Sequence, residues 1–206
     1  MIQKSDNLLA FAVYSLRLNE MVYVAQYALD NDLLDLKQVR NADIMLSSVK
    51  AISFEKMFYQ IRKRIQTLTP TQIEILAHGD LISQKQIALL SICKCYSFIE
   101  DFIIEVLRDK ILVFDYQLNE TDFNGFIKRK IQEYPQLEEY KTTTLNKAKQ
   151  VLFLLLEQAG IIDNIKDRRI QPQLLTRSVV EAIAEDDPYL LKIFMYSDRD
   201  IKDIKL

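Results

Sequence analysis

The amino-acid sequence predicts a mainly α-helical protein of two helical units, residues 1–115 and 116–206, the second closed by a short β-ribbon. Three observations lead there. The 206 residues include three glycines and four prolines, where average usage gives about 14 glycines, so tight turns are few and helices long. Hydrophobic residues make up 49% of the chain, enough for a sizeable core and too many for disorder. Apolar residues recur at helical spacing until Gly160, after which Ile161-Ile162, a charged stretch and Ile170-Gln171-Pro172 break the pattern.

Residues 8–30, apolar on most sides, read as one buried helix, and residues 33–49 as one or two shorter ones. Residues 53–68, SFEKMFYQIRKRIQTL, give the clearest amphipathic helix, with Ser53 as N-cap. Phe54, Met57, Phe58, Ile61, Ile65 and Leu68 share its core face, while Lys56 and Lys63 lie opposite, flanked by Arg62 and Arg64. That polar face reads either as plainly solvated or as contacting phosphates through Lys56, Arg62 and Lys63. Thr69-Pro70 starts the next helix and Gly79 stops it. Residues 83–108 read as one long helix capped by Ser83, and ILVF at 111–114 as a short strand or linker at the boundary between the units.

In the second unit, Thr121-Asp122 opens a helix that halts before Pro135, and QLEEYK holds a short connector. Thr142, Thr143 and Thr144 supply the N-cap of LNKAKQVLFLLLEQAG, which Gly160 ends. Helices over 174–184 and 189–196 follow. A Thr-capped helix, a glycine stop, Ile161-Ile162, the turn Asp163–Arg169 and Ile170 make the order of a winged helix. In such a module one helix enters the major groove and the ribbon's turn reaches the backbone. Thr143 and Thr144 then offer hydroxyls and free N–H groups to a phosphate. Asn146, Lys147, Lys149 and Gln150 are the first exposed polar side chains, able to contact base edges or phosphates. Arg168 and Arg169 belong at the ribbon tip, on the side of Lys147. The plainer alternative is an ordinary helix end with a charged surface loop. Leu154, near Lys147 and Gln150 on the wheel, hints at a protein contact.

Charge and chemistry narrow the function. The net charge is −2, with residues 120–180 at +2, so a nucleic-acid site is a local patch. Cys93 and Cys95, about 200° apart on a helix, and the single His78 cannot assemble a four-ligand zinc site, and they read as free thiols. The glycines are too dispersed for a phosphate loop. The adjacent carboxylates Glu100-Asp101, Glu138-Glu139 and Asp186-Asp187 diverge on a helix and read as solvated, the last pair also as a helix start. No catalytic residue, cofactor, metal or small-molecule substrate is expected. The N-terminus lacks a signal pattern and no apolar run reaches about 20 residues, so a cytoplasmic protein without a membrane span is expected.

Three blocks resemble the BrxA family, small components of the BREX bacteriophage-exclusion systems, formerly described as putative inner-membrane proteins. They are SFEKMFYQIRKRIQTLT, ISQKQIALLSICKCYSFIEDFIIEVLRDKI and TTTLNKAKQVLFLLLEQAGII. Their order and spacing within residues 8–194 carry the resemblance; the third block has lysines but no arginine in its helix. The resemblance implies a helical, double-stranded DNA-binding accessory protein of phage defence with no catalytic residues, and other BREX proteins as partners. It also implies an N-terminal bundle like that of the NusB-type RNA-binding antitermination proteins. A protein-interaction subunit docking on larger defence enzymes, or an RNA-binding protein, are the other readings.

Overall fold

The computed structural model of the protein describes residues 8–30 and 51–204. Among them are ten α-helices and no β-strand, so the mainly α expectation holds. The helices expected within residues 33–49 lie outside the described residues, as do the side chains of Ser53 and Phe54; the helix already runs from Ala51, so Ser53 lies inside it and is not its N-cap.

The N-terminal segment is not one helix. A 3₁₀ turn, Ala10–Val13, gives way to extended backbone at Tyr14, and α1 begins only at Leu18 and runs to Asp30. The cause is Arg64, on α2 (Ala51–Ile65), whose residue is 1% exposed. Its Nη1 donates to the carbonyls of Ser15 (3.0 Å) and Leu16 (3.2 Å), and its Nη2 to that of Tyr14 (3.2 Å). Three successive carbonyls turned to one guanidinium cannot also serve a helical ladder. Arg17 takes up the change of direction at φ +56°. The wheel that set Arg64 beside the solvated lysines is therefore corrected. Met57, Phe58, Ile61, Ile65 and Leu68 are buried as expected.

Thr69 and Gln72 form the capping box of α3 (Pro70–His78), with Pro70 in its first turn. Gly79 ends it in extended backbone; a Cβ there would lie 2.5 Å from the Ile75 carbonyl oxygen. The long helix expected over 83–108 is divided. Asp80, rather than Ser83, caps α4 (Leu81–Cys95), accepting from the amides of Ile82 (2.8 Å) and Ser83 (3.0 Å). Tyr96 then leaves helical geometry at φ −132°, ψ 96°. Its hydroxyl donates to Gln60, and the Lys63 ammonium sits 5.4 Å from its ring centre. Helix resumes as α5 (Ser97–Phe102), a π-helical turn (Ile103–Arg108) and α6 (Asp109–Leu112). Residues 111–114 are thus a helix end and turn, not a strand. Phe114 turns at φ +62°, leaving Val113 72% and Phe114 80% exposed.

Helix α7 (Glu120–Glu133) has an Asn119–Asp122 capping box, a 3₁₀ turn spans Pro135–Glu139, and α8 spans Thr142–Gln158. At Gly160 (φ +76°) the chain closes a left-handed stop, with the Ile161 amide donating to the Leu156 carbonyl at 2.8 Å. Thr176 caps α9 (Arg177–Ala184), and Asp187 caps the 3₁₀ turn Pro188–Phe194. The sequence reading missed α10 (Asp198–Asp203), which has its own Ser197–Asp200 capping box.

The core is continuous across residues 115 and 116. An aromatic row links Phe11 to Phe98, Phe98 to Phe126, Phe126 to Phe102, Phe102 to Phe123 and Phe123 to Phe153. The Gln72 amide donates to the Ala182 carbonyl (2.9 Å), and Arg108 Nε to that of Tyr196 (2.8 Å). Lys130, on α7, gathers Asp101 (2.9 Å), Glu105 (2.6 Å) and Glu133 (2.8 Å). Glu100 is buried, Asp101 is paired to Lys130 and Asp186 to Lys94, so these carboxylates are structural rather than simply solvated. Cys93 and Cys95 are both buried and not disulfide-bonded. Among the described residues no helix is long and apolar enough to cross a membrane.

Arg64→Met should lower folding stability by roughly 3 kcal/mol, because it leaves three carbonyls short of a charged donor. Urea unfolding measures it; an unchanged midpoint would show that the Arg64 contacts contribute nothing net.

Candidate nucleic-acid interface

Helix α8 starts one residue earlier than a threonine N-cap requires. Lys141 holds the N-cap position and offers no side-chain acceptor. Thr142, Thr143 and Thr144 are the first three helical residues, and the amides of Thr144 and Leu145 already donate to the Lys141 carbonyl. The threonine cap is thereby corrected. Thr143 is exposed and Thr144 half-buried at a helix start without a side-chain cap. Ala148, Leu152, Leu155, Leu156 and Ala159 are buried as expected, together with Val151 and Phe153, while Leu154 is half-buried.

The expected ribbon is reduced to isolated antiparallel bridges. Ile162 pairs with Ile170, the Asp163 amide donates to the Arg169 carbonyl (3.0 Å), and the Gln171 amide donates to that of Ile161 (2.8 Å). A third segment, 116–118, runs on the other side. Gln117 bridges Arg169, the Leu118 amide donates to the Arg168 carbonyl (3.1 Å), and the Ile170 amide donates to that of Tyr116 (2.8 Å). Between the bridges, Asn164 closes the turn. Its Oδ1 accepts from the amides of Lys166 (2.9 Å) and Asp167 (2.7 Å), while Asp163 Oδ1 accepts from those of Asn164 and Arg169.

This turn folds back on α8. Arg168 adopts φ +55°, and its guanidinium lies 5.4 Å from the ring centre of Phe153. Together with Glu120, Asn146, Lys149, Gln150 and Ile165 these two line a groove of about 420 Å³. Asn146, Lys149, Gln150 and Phe153 share one face of α8 by their helical spacing, and Arg168 closes it. Two cations meet one carboxylate there: Lys149 Nζ is 3.2 Å from Glu120 Oε2, and Arg168 Nη1 is 3.6 Å from Glu120 Oε1. The Lys149 ammonium, with Arg168 behind it, holds the Glu120 carboxyl below its ordinary pKa.

The other expected contacts lie elsewhere. Lys147 is exposed but outside the groove, and Arg169 is exposed on the bridged segment; neither has an ion-pair partner among the described residues. On α2, Lys56 is exposed and lines a separate hollow with Tyr14, Glu55 and Tyr59, while Arg62 and Lys63 are half-buried. Glu120, Phe153, Ile165 and segment 116–118 went unread in the sequence. The spacing of Asn146, Lys149, Gln150 and Phe153 was the available signal for one of them. Among the described residues no group of three or more His, Cys, Asp or Glu is placed to hold a metal ion.

Fold and groove define a mainly helical protein whose candidate site is built from fixed charges, amides and one aromatic ring. A model of the BrxA family matches residues 9–187, and the chain belongs to that family. It is 35% identical over 121 residues to a BREX protein BrxA of Bacillus cereus (strain H3081.97), covering 58% of this chain and 60% of that protein. It is 25% identical over 130 residues to a BREX protein BrxA of Escherichia coli O9:H4 (strain HS), covering 62% and 61%. The chain thus spans about three fifths of the length of the curated relatives it matches. The fold is shared with a crystal structure of an uncharacterized protein from Magnetospirillum magneticum, with a TM-score of 0.75 at 18% identity, covering 91% of this chain and 96% of that one.

Asn164→Ala should loosen the turn by about 1 kcal/mol, the net worth of a hydrogen bond. The amides of Lys166 and Asp167 would then exchange with deuterium faster than in the parent protein. Unchanged exchange there would show that the turn does not rely on Asn164.

Proposed function

We propose that the protein is a double-stranded DNA-binding accessory component of a BREX phage-defence system, without catalysis of its own. Two relatives carry the description BREX protein BrxA. The observation that carries the reading is the convergence of the 163–169 turn on α8, with Arg168 seated on Phe153 beside Asn146, Lys149 and Gln150. Residues 116–206, with helix α7, helix α8 and the bridged segments, then act as a winged-helix-like unit, and residues 1–115 as a NusB-like helical bundle. Affinity comes mainly from phosphate contacts, which need no sequence preference. Lys147 and Arg169 supply the outermost of them, being exposed and unpaired among the described residues. Thr143 and Thr144 add hydroxyls at the uncapped start of α8. Lys56, Arg62 and Lys63 on α2 would add phosphate contacts from a separate surface.

A second reading, docking on a larger defence protein, draws on the exposed apolar pair Val113 and Phe114. Co-purification with such a protein that survives nuclease treatment and is abolished in Phe114→Ser favours it.

Binding to duplex DNA should weaken with salt, and Lys147→Gln with Arg169→Gln should flatten the log–log slope by about 0.9 for each phosphate no longer neutralised. Fluorescence anisotropy at low salt reads both. Absence of duplex binding, or tighter binding of structured RNA in competition, overturns the DNA reading.

A further inference from the structure

Glu120 stands where an anionic ligand of the groove would stand. It is the first residue of α7, and its side chain is 60% exposed. Its carboxylate bridges Lys149 and Arg168, but unequally: the Lys149 contact is a hydrogen bond, whereas 3.6 Å to Arg168 exceeds one. Arg168 Nε, buried, has no hydrogen-bond partner among the described residues, a state it shares with Arg17 Nε and Arg64 Nε. So the guanidinium is held by its ring contact and its left-handed backbone rather than by the acid it faces. A non-glycine residue in that region is strained, and such strain concentrates at binding sites. A fixed guanidinium whose Nη1 is only loosely paired, beside an ammonium, suits an anion with two oxygens to share.

We propose that Lys149 and Arg168 form a phosphodiester seat, which the Glu120 carboxylate fills in the free protein and a DNA phosphate takes over by displacing it. The proposal rests on the DNA-binding reading above and adds a built-in competitor to it. An exposed pair is a weak one, so Glu120 leaves readily, swinging away from the helix start into solvent. While it stays, it offsets one of the two positive charges and weakens their long-range attraction, and the seat engages a strand delivered by Lys147 and Arg169. Asn146 and Gln150, on the rim, then meet the sugar or base edge next to the seated phosphate.

Glu120→Gln keeps the shape of the helix start and removes the charge. Glu138→Gln removes the same charge from an exposed site outside the groove. Melting in chloride buffer checks that both variants are folded. In anisotropy titrations with a short labelled duplex, Glu120→Gln should tighten binding several-fold over the parent, with Glu138→Gln changing little. Adding Lys149→Gln to Glu120→Gln should abolish the gain. In a second arm, inorganic phosphate replaces chloride at equal ionic strength and should raise the Tm of Glu120→Gln above that of Glu138→Gln. If the parent binds duplex but the two glutamine variants gain equally, the seat is refuted and the DNA reading stands. If no variant binds duplex yet phosphate still stabilises Glu120→Gln selectively, the seat stands and the DNA reading falls. If neither arm responds, both fall.

Discussion

Arg64 ties together parts of the chain that lie far apart in sequence. Its guanidinium draws the carbonyls of residues 14–16 onto α2, and that holds the segment out of helical geometry. Thus extended, the same segment presents the Leu16 amide to the side chain of Gln158, near the end of α8, at 2.9 Å. One buried cation so fixes a strap that runs from α2 to the helix carrying the groove. The 3₁₀ turn before the strap seats Phe11 against Phe98, at the head of the aromatic row that ends on Phe153. Phe153 is in turn the ring under Arg168. The α8 side of the groove is therefore set by core packing, and its Arg168 side by the conformation of the 163–169 turn.

Charge is handled differently in the interior and at the groove. Lys130, nearly buried, gathers three carboxylates, and Arg64, fully buried, takes carbonyls instead. Both gain acceptors in place of water, although the buried Arg64 Nε has no hydrogen-bond partner among the described residues. In the groove the acceptors are too few. Two cations share one exposed carboxylate.

Much of this was legible in the sequence, and the failures have physical causes. The amphipathic face of α2, the Thr69-Pro70 start and the Gly160 stop depend on local spacing and backbone geometry, so they could be read directly. The break at Tyr96 and the strap at residues 14–17 could not, because each is imposed by a distant partner, Gln60 or Arg64. Arg64 itself was misplaced because a helical wheel assigns arginine to solvent and cannot see three carbonyls waiting inside. The cap of α4 fell to Asp80 because a carboxylate three residues before Ser83 accepted both free amides. At the candidate site, Asn146, Lys149 and Gln150 were legible as the first exposed polar side chains of α8, while Lys147 lies outside the groove and Phe153 went unread. Glu120 escaped because nothing local links it to Lys149, 29 positions on.

Cys93 and Cys95 lie at the end of α4, each no more than 1% exposed. Burial also raises the Cys95 thiol's pKa and keeps it in the unreactive protonated form. Neither sulfur meets an alkylating reagent unless α4 comes away from the core. The pair is thus a native clock for opening: the rate at which the thiols become labelled counts excursions of α4 from the core, with no probe added to the protein.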